Sequence, residues 1–488
     1  MEELRELWRR RLDQVTSRAI TARTFAAFNT NVDIVVHVND ATVARLLQAA
    51  GIDPRQLPER SIADVEKIVS PEDLFVVLRD RLRTGKSFHI TVSNPDLLRW
   101  LDRHFSEEEE CMGGQAGIIA NQMAELGATS AVYTPVLSPQ QARLFHPQVI
   151  SPSVRGGAGL CWCPAREAAD PQTPTKINWI LEYAKGLTIH FGDETIVTPR
   201  ANRVILATRP KEAIMGFPPV LRPFLPQLGQ QLDVAFLAGY HYATDPMPDG
   251  RSLDAYLADS VHDLRALKSS NPQLRLHLEY VPMADEEREK RVLTAILAEM
   301  SSFGINENEI RQVLREFGFA DQAHAIEQAE SAYTLYLGGL ELLRALHLQR
   351  IQIHNLGYYV LILRRPYPIE PEAVREACLF ASCVNALKAR YGGYVHRDQL
   401  PEAAGWALSD TGFKNLELIG KDLGLTGQAL DQFLAEGILA REDHVLLAVP
   451  AHIIPNPVST VGMGDTISSS SYACEQQAQT APAAAGTL

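Results

Sequence analysis

Val234-Ala-Phe-Leu-Ala-Gly-Tyr240 and Leu274-Arg-Leu-His-Leu-Glu-Tyr-Val281 are short apolar runs with a stretch of helical spacing between them. Runs that are apolar almost throughout suit strands covered on both faces, as in a parallel sheet. The pattern continues downstream, with apolar strands at Ile351–Leu363 and Val445–Val449 and helices in the intervals. Strand–helix alternation of this kind predicts a mainly parallel, doubly wound α/β sheet. Upstream, Phe25–Val38 reads as one apolar strand interrupted by Asn29, Asn31 and Asp33. Polar groups in a buried strand are costly unless paired. They are either satisfied by neighbouring backbone or face a ligand at the strand's end.

Residues 40–110 read as mainly helical, with start signals at Asp40, Ser70-Pro71 and Asn94-Pro95 and a stop at Gly85. Gly113-Gly114-Gln115-Ala116-Gly117 leads into another helix that closes near Gly127, and Ser130–Val136 follows as a strand. The segment 176–208 behaves differently. Ile177, Trp179, Leu181 and Tyr183 alternate with polar neighbours, and Gly192-Asp193 signals a hairpin. This predicts an antiparallel meander with one wet face. The expected organisation is one large α/β domain (1–32, 113–150 and 210–480), a smaller inserted α+β lid (about 33–112 in part, and 151–209), and a tail at 481–488.

Composition narrows the function classes. The chain has 488 residues, long enough for a large core without disulfides or metals. Its 46 basic and 59 acidic residues give a formal charge of −13. That balance argues against general binding to nucleic acid or an anionic membrane, while leaving room for a local basic pocket. No apolar run approaches the length of a spanning helix. The charged start Met1-Glu-Glu-Leu-Arg lacks the apolar core of a signal peptide. Six cysteines are too few for a disulfide scaffold, and the pair in Cys161-Trp-Cys163 has no second pair at zinc spacing. A cytoplasmic protein with reduced thiols is the expectation; the oligomeric state stays open.

Four groups of residues carry chemistry. Thr460-Val-Gly462-Met-Gly464-Asp465-Thr-Ile-Ser468 places two glycines at an apparent helix start, where free amides and the helix dipole make an anion hole. On spacing alone Asp465 is either a cap or a carboxylate free to take a proton beside a phosphate. His277-Leu-Glu279 puts both polar side chains on one face of a strand. Asn306-Glu-Asn-Glu309 puts Asn306 and Glu309 on one face of a helix start. Oxygen ligands on two segments suit Mg²⁺, and the alternative for Asn306 and Glu309 is reciprocal capping. Lys176, Arg203 and Arg209 sit at strand ends, either solvated or converging on a phosphate. The usual nucleotide fingerprints are missing. Thr84-Gly-Lys-Ser87 imitates a Walker loop but has Asp80 at the leading glycine, and Gly462-x-Gly464 lacks the third glycine.

Taken together, Asn29-Thr-Asn-Val-Asp33, Gly113-Gly-Gln-Ala-Gly-Ile-Ile-Ala-Asn121, His277-Leu-Glu279, Asn306-Glu-Asn-Glu309, Ile351–Leu363 and Val461-Gly-Met-Gly-Asp-Thr-Ile467 resemble the ADP-dependent sugar kinases. These form the phosphofructokinase/glucokinase family, with a ribokinase-like fold. The resemblance runs from about Phe25 to Ser470. It implies transfer of the β-phosphate of MgADP to a sugar hydroxyl, with the large domain binding the nucleotide. Asp465 becomes the base and a neighbour of the metal, and Gly462 and Gly464 the anion hole. Glu279 and Glu309 become the Mg²⁺ residues, and Arg203 a nucleotide-phosphate contact. Adenine contacts fall in Ile351–Tyr359 and Val449–Pro457, here His354 and Val449. Asn31, Asp33, Gly114, Gln115 and Asn178 match sugar contacts.

The acceptor follows from the segments around Lys176 and Arg209, which resemble the phosphofructokinase branch. That branch uses these two cations to hold the 6-phosphate of fructose 6-phosphate. The implied partners are therefore a sugar phosphate and ADP. Near His89 the family places a Glu in glucose-using members and a small residue in phosphofructokinases, and this chain has neither. A glucokinase or bifunctional enzyme is the alternative. An ATP-dependent relative and a catalytically silent sensor on the same scaffold are the other readings.

Overall fold

Strands sort into two main sheets and a two-stranded hairpin in the computed structural model, which describes residues 2–58, 67–105, 108–154, 159–458 and 461–480. Thr460 and the expected tail 481–488 lie outside the described residues. The strands, in chain order, are β1 (Arg23–Phe28), β2 (Asn31–His37), β3 (Phe88–Thr91), β4 (Glu109–Gly113), β5 (Thr129–Tyr133), β6 (Ile150–Val154), β7 (Leu160–Pro164), β8 (Ile177–Tyr183) and β9 (Thr188–Phe191). They continue as β10 (Glu194–Val197), β11 (Asn202–Ala207), β12 (Val234–Ala238), β13 (Arg275–Glu279), β14 (Ser302–Asn306), β15 (Arg350–Asn355), β16 (Tyr358–Arg364), β17 (Ile438–Ala440) and β18 (His444–Pro450).

The large sheet has eleven strands in the order β17-β18-β16-β15-β14-β13-β12-β1-β5-β6-β7. From β15 to β6 every neighbouring pair is parallel. The pairs at both margins are antiparallel. Strand order reverses at β1: the chain moves one way to β5 and the other way through β12, β13, β14 and β15. Such a reversal opens a crevice beyond the carboxyl ends of the strands. Helices Gln115–Glu125, Pro371–Tyr391 and Met463–Thr480 pack behind that crevice. The last carries Ser468–Ser471, all buried. The Ser469 and Ser470 hydroxyls donate back to the Thr466 carbonyl, and Ser471 donates to the Ser468 carbonyl and, at 2.8 Å, to Gln352 Oε1, so small polar side chains let the helix lie close to the sheet.

The lid sheet has the order β3-β11-β8-β2-β4. Its pairs β2/β8 and β3/β11 are parallel and the rest antiparallel. One face, with Val32, Ile34, Trp179, Leu181 and Leu206, packs onto the lid helices in a core of its own. The other face looks toward the large domain.

Several sequence expectations need correction. Phe25–Val38 is two strands in different sheets, because Asn29 and Thr30 carry the chain across from β1 to β2. Ile351–Leu363 is a hairpin, β15 and β16, turning at Leu356-Gly357, where Gly357 has φ +90°. Residues 151–164, expected in the lid, form most of β6 and β7 and extend the large sheet, since β6 pairs with β5. The 176–208 segment is not one meander: β9 and β10 form a separate two-stranded hairpin. β3 and β4 lie in the segment read as mainly helical. The start signals hold at Ser70 and Asn94, and Asn39 rather than Asp40 caps its helix.

Among the described residues no helix is long and apolar enough to cross a membrane. All six cysteines are free.

Candidate active site

The large domain brings its chemistry to the carboxyl ends of consecutive parallel strands. Glu279 ends β13, Asn306 ends β14, and His354 and Asn355 end β15. They line a cleft of about 520 Å³ together with Gln115, Arg203, Glu309, Tyr359, Asn385, His452, Gly462, Gly464 and Asp465. Gly304 on β14 makes room for Glu279: a Cβ there would lie 1.9 Å from its Oε2. Gly464 abuts the same carboxylate, at 3.2 Å from a Cβ position, and His354 at 3.1 Å. Gly462 has φ +65°, a conformation that favours glycine. It turns the chain into the helix beginning at Met463, and the Gly462 carbonyl accepts from the Thr466 amide at 3.0 Å. Asp465 lies in the first helical turn, half-buried, rather than at the cap position. Burial pushes its pKa up to about 6, with the Gln115 amide and the Lys388 ammonium pulling the other way.

Glu279 is the most constrained of the acids. His277 Nε2 lies 3.4 Å from its Oε2 and His354 Nε2 3.5 Å from its Oε1. Burial raises its pKa well above the usual carboxylate value, and the charges of Asp465 and Glu309 raise it further. Burial likewise pushes Glu309 up to about 7. The capping reading of Asn306 and Glu309 is realised. The Asn306 side chain accepts from the Glu309 amide at 2.9 Å, and the Glu309 carboxylate accepts from the Asn306 amide at 3.1 Å, while Glu309 also lines the cleft. Among the described residues no three His, Cys, Asp or Glu side chains form a cation site by themselves. Three mutually repelling acids in one cleft are what a divalent cation relieves.

The lid contributes from its four crossings into the large domain. Asn31 and Asp33 follow the β1–β2 crossing, Gly114 and Gln115 the β4–helix crossing, Lys176 and Asn178 precede or begin β8, and Arg209 follows β11. Asn178 donates to Asp33 at 2.9 Å, and Asn31 donates to the same oxygen. Burial raises Asp33 to about 6, opposed by Asn178, Lys176 and Arg203. Gly113 holds this pair closely, since a Cβ there would lie 2.2 Å from Asn31 Nδ2. Lys176 is fully buried, its ammonium donating to Asn29 Oδ1. Burial and Arg209 push its pKa well down. Lys176 and Arg209 both stack on the Tyr242 ring, 4.3 and 4.4 Å from its centroid.

Val449 is the site expectation placed elsewhere. It lies inside β18, buried in the core and opposite Tyr359, and the cleft beyond is lined by His452, Ile454 and Pro457. Sequence reasoning did not single out His241, Tyr242, Lys388, Asn385 or His452. His241 and Tyr242 carried a signal as the polar continuation of the Val234–Tyr240 strand, and His452 falls within the Val449–Pro457 segment that the resemblance marks for adenine contacts.

Comparison with known proteins places the fold. The conserved region of ADP-specific phosphofructokinase/glucokinase matches residues 22–474. The ADP-specific phosphofructokinase of Thermococcus zilligii is 33% identical over 452 residues, 92% of this chain and 94% of that one. The solved structure of the last common ancestor of ADP-dependent phosphofructokinases from Methanosarcinales superposes with a TM-score of 0.82 at 29% identity, over 97% of this chain and 98% of that one. An ADP-dependent kinase in complex with fructose 6-phosphate and ADPβS gives 0.81 at 27% identity, over 99% and 100%. The fold and cleft are those of a two-domain α/β sugar kinase. The chain belongs to the ADP-specific phosphofructokinase/glucokinase family.

Proposed function

We propose that this enzyme transfers the β-phosphate of ADP to the first-carbon hydroxyl of fructose 6-phosphate, giving fructose 1,6-bisphosphate and AMP. One observation carries the choice of acceptor: Lys176 and Arg209 converge on Tyr242 beside the lid crossings. Two cations placed so, Lys176 buried and Arg209 half-buried, suit a dianionic phosphate and have no use for a neutral hydroxymethyl group.

Phosphoryl transfer asks the protein mainly for in-line placement and charge neutralisation. The hydroxyl oxygen bonds to the β-phosphorus as the bond to the α,β-bridging oxygen breaks, leaving its electrons on AMP. The hydroxyl proton goes to Asp465. Amides at Gly462 and Gly464 and the helix start behind them face the transferring group. Arg203 reaches over from the lid toward the nucleotide phosphates, and His354 lines the nucleotide side. Asn31, Asp33, Gly114, Gln115 and Asn178 hold sugar hydroxyls. Glu279 and Glu309, with Asp465 adjacent, would hold Mg²⁺, which when bound supplies countercharge to the diphosphate.

The Asn31–Asp33–Asn178 network is indifferent to a sugar phosphate, so phosphorylation of glucose is the second reading. Initial rates with ADP or ATP and glucose or fructose 6-phosphate, all with Mg²⁺, decide. The expectation is highest kcat/KM for ADP with fructose 6-phosphate, with AMP as product. A preference for glucose or for ATP overturns the acceptor or the donor respectively.

A further inference from the structure

The sugar-phosphate side of the cleft holds two histidines with no part in the transfer chemistry above. His89, on β3, has Nε2 3.3 Å from a guanidinium nitrogen of Arg209. A guanidinium only donates, so this ring nitrogen accepts and the hydrogen of the neutral ring sits on Nδ1. His241, three residues past β12, has its ring centroid 4.0 Å from that of Tyr242, the ring on which Lys176 and Arg209 stack. Four basic side chains thus reach one place, from β3, the start of β8, the end of β11 and the turn after β12. Asp33 from β2 acts on Lys176, and Glu279 at the end of β13 and Glu289 line a small pocket together with His241.

Without an anion this place holds imidazoles neutral. Burial, Arg209 and Lys176 push His89 down to about 4. The His89 side chain is itself exposed, so for it Arg209 and Lys176 are the more durable cause. Burial pushes His241 down to about 3, together with Lys176, Arg209 and His89. An arriving phosphate dianion reverses the sign of the local field. An opposite charge within about 4–6 Å favours the protonated ring, and a protonated ring offers a second N–H donor.

We propose that His89 and His241 are phosphate-binding residues of the sugar-phosphate pocket and that they take up protons from solvent as the dianion binds. The inference rests on the fructose 6-phosphate reading. No covalent bond changes; each proton moves from solvent or buffer to a ring nitrogen. The direction of the pH effect follows. The rings are neutral in the empty pocket and protonated in the complex, so affinity is greatest at low pH and falls as pH rises through the bound-state pKa. The slope approaches about tenfold per pH unit for each linked proton. The ligand's own second ionisation, near pH ~6, works in the opposite direction, so the measurement belongs above pH ~7.

Titration calorimetry of the full-length enzyme with fructose 6-phosphate, in buffers of different ionisation enthalpy, reads the linkage directly. The expected result is a buffer-dependent enthalpy signifying net proton uptake. His89→Gln and His241→Gln should each diminish that uptake and raise Kd by roughly ten- to a hundredfold. Melting temperature and ADP affinity of the variants should stay at wild-type values, separating loss of a contact from loss of fold. Fructose 6-phosphate that binds and turns over with no buffer dependence overturns this inference alone, as do variants with the wild-type Kd and pH slope. Absence of fructose 6-phosphate binding in the wild type overturns the substrate reading and this inference with it.

Discussion

A carboxylate that takes a proton from a sugar hydroxyl works best with a pKa near ambient pH, and the surroundings of Asp465 move it in that direction, up to about 6. Above that value the group is ionised and able to accept. As pH falls through it, the site already carries a proton. kcat/KM is therefore expected to drop on the acid side with a limb near this pKa, and the limb should disappear in Asp465→Asn. That variant should lose at least ~10²–10⁴-fold in kcat while ADP still binds by calorimetry. Normal turnover would remove Asp465 from the chemistry. In the proposed function Arg209 belongs to the acceptor side. Losing a charge-assisted bond to phosphate costs about 1.5–3 kcal/mol, so Arg209→Ala should raise KM for fructose 6-phosphate roughly ten- to a hundredfold and leave KM for ADP nearly unchanged. Equal effects on both substrates would place Arg209 with the nucleotide.

At the scale of elements, the start of helix Glu309–Glu316 does two things with one pair of residues. Reciprocal bonds between Asn306 and Glu309 close the turn, and the Glu309 carboxylate still lines the cleft. The two roles separate by substitution. Asn306→Ala removes a capping acceptor and should lower stability by about 1 kcal/mol, read as a lower melting temperature. Glu309→Gln keeps an oxygen that can accept from the Asn306 amide but loses the charge. It should melt near the wild type and bind Mg²⁺ more weakly by calorimetry. Unchanged Mg²⁺ affinity would reduce Glu309 to a cap.

Legibility followed the same line between local and tertiary causes. The buried strands β12, β13 and β18, the caps at Ser70 and Asn94, and the turn at Gly462–Asp465 were readable because each is specified by adjacent residues. The two strands within Phe25–Val38 were not, since nothing local tells an apolar run that it changes sheets at Asn29. β14 escaped because Ser302-Phe-Gly-Ile-Asn306 is short, and Gly304 is there for Glu279 rather than for the strand. β6 and β7 read as lid because only the pair Ala131–Ile150 ties β6 to β5, and β7 joins the sheet through β6. In the site, Lys176 and Arg209 were legible through family resemblance. His241 and Tyr242 were not, because their relevance comes from the fold placing the turn after β12 beneath both cations.

For the molecule as a whole, the sugar-side residues gather at the places where the chain passes between the two sheets. Asn31, Gly114, Lys176 and Arg209 each lie at or beside a different crossing. A ligand gripping all four holds the hinge itself, so acceptor binding should set the angle of the lid over the nucleotide. The reaction requires it, because Arg203 is on the lid and Asp465 is on the large domain, and water left between them would compete as acceptor. Solution scattering on the enzyme with fructose 6-phosphate and AMP, a pair that cannot turn over, should show a smaller radius of gyration than the free enzyme. Gly114 provides the control. It has φ +74°, and a Cβ there would meet the Asn29 carbonyl at 2.6 Å and Thr30 Cα at 2.8 Å. Gly114→Ala should therefore wedge two crossings apart: ADP affinity stays, compaction is lost, and kcat falls at least ~10-fold, the loss that ~1 Å of misplacement readily causes. A wild-type enzyme that turns over normally yet keeps one radius with and without the ligand pair would show that the lid is already closed, and Gly114→Ala should then act on KM for the sugar instead.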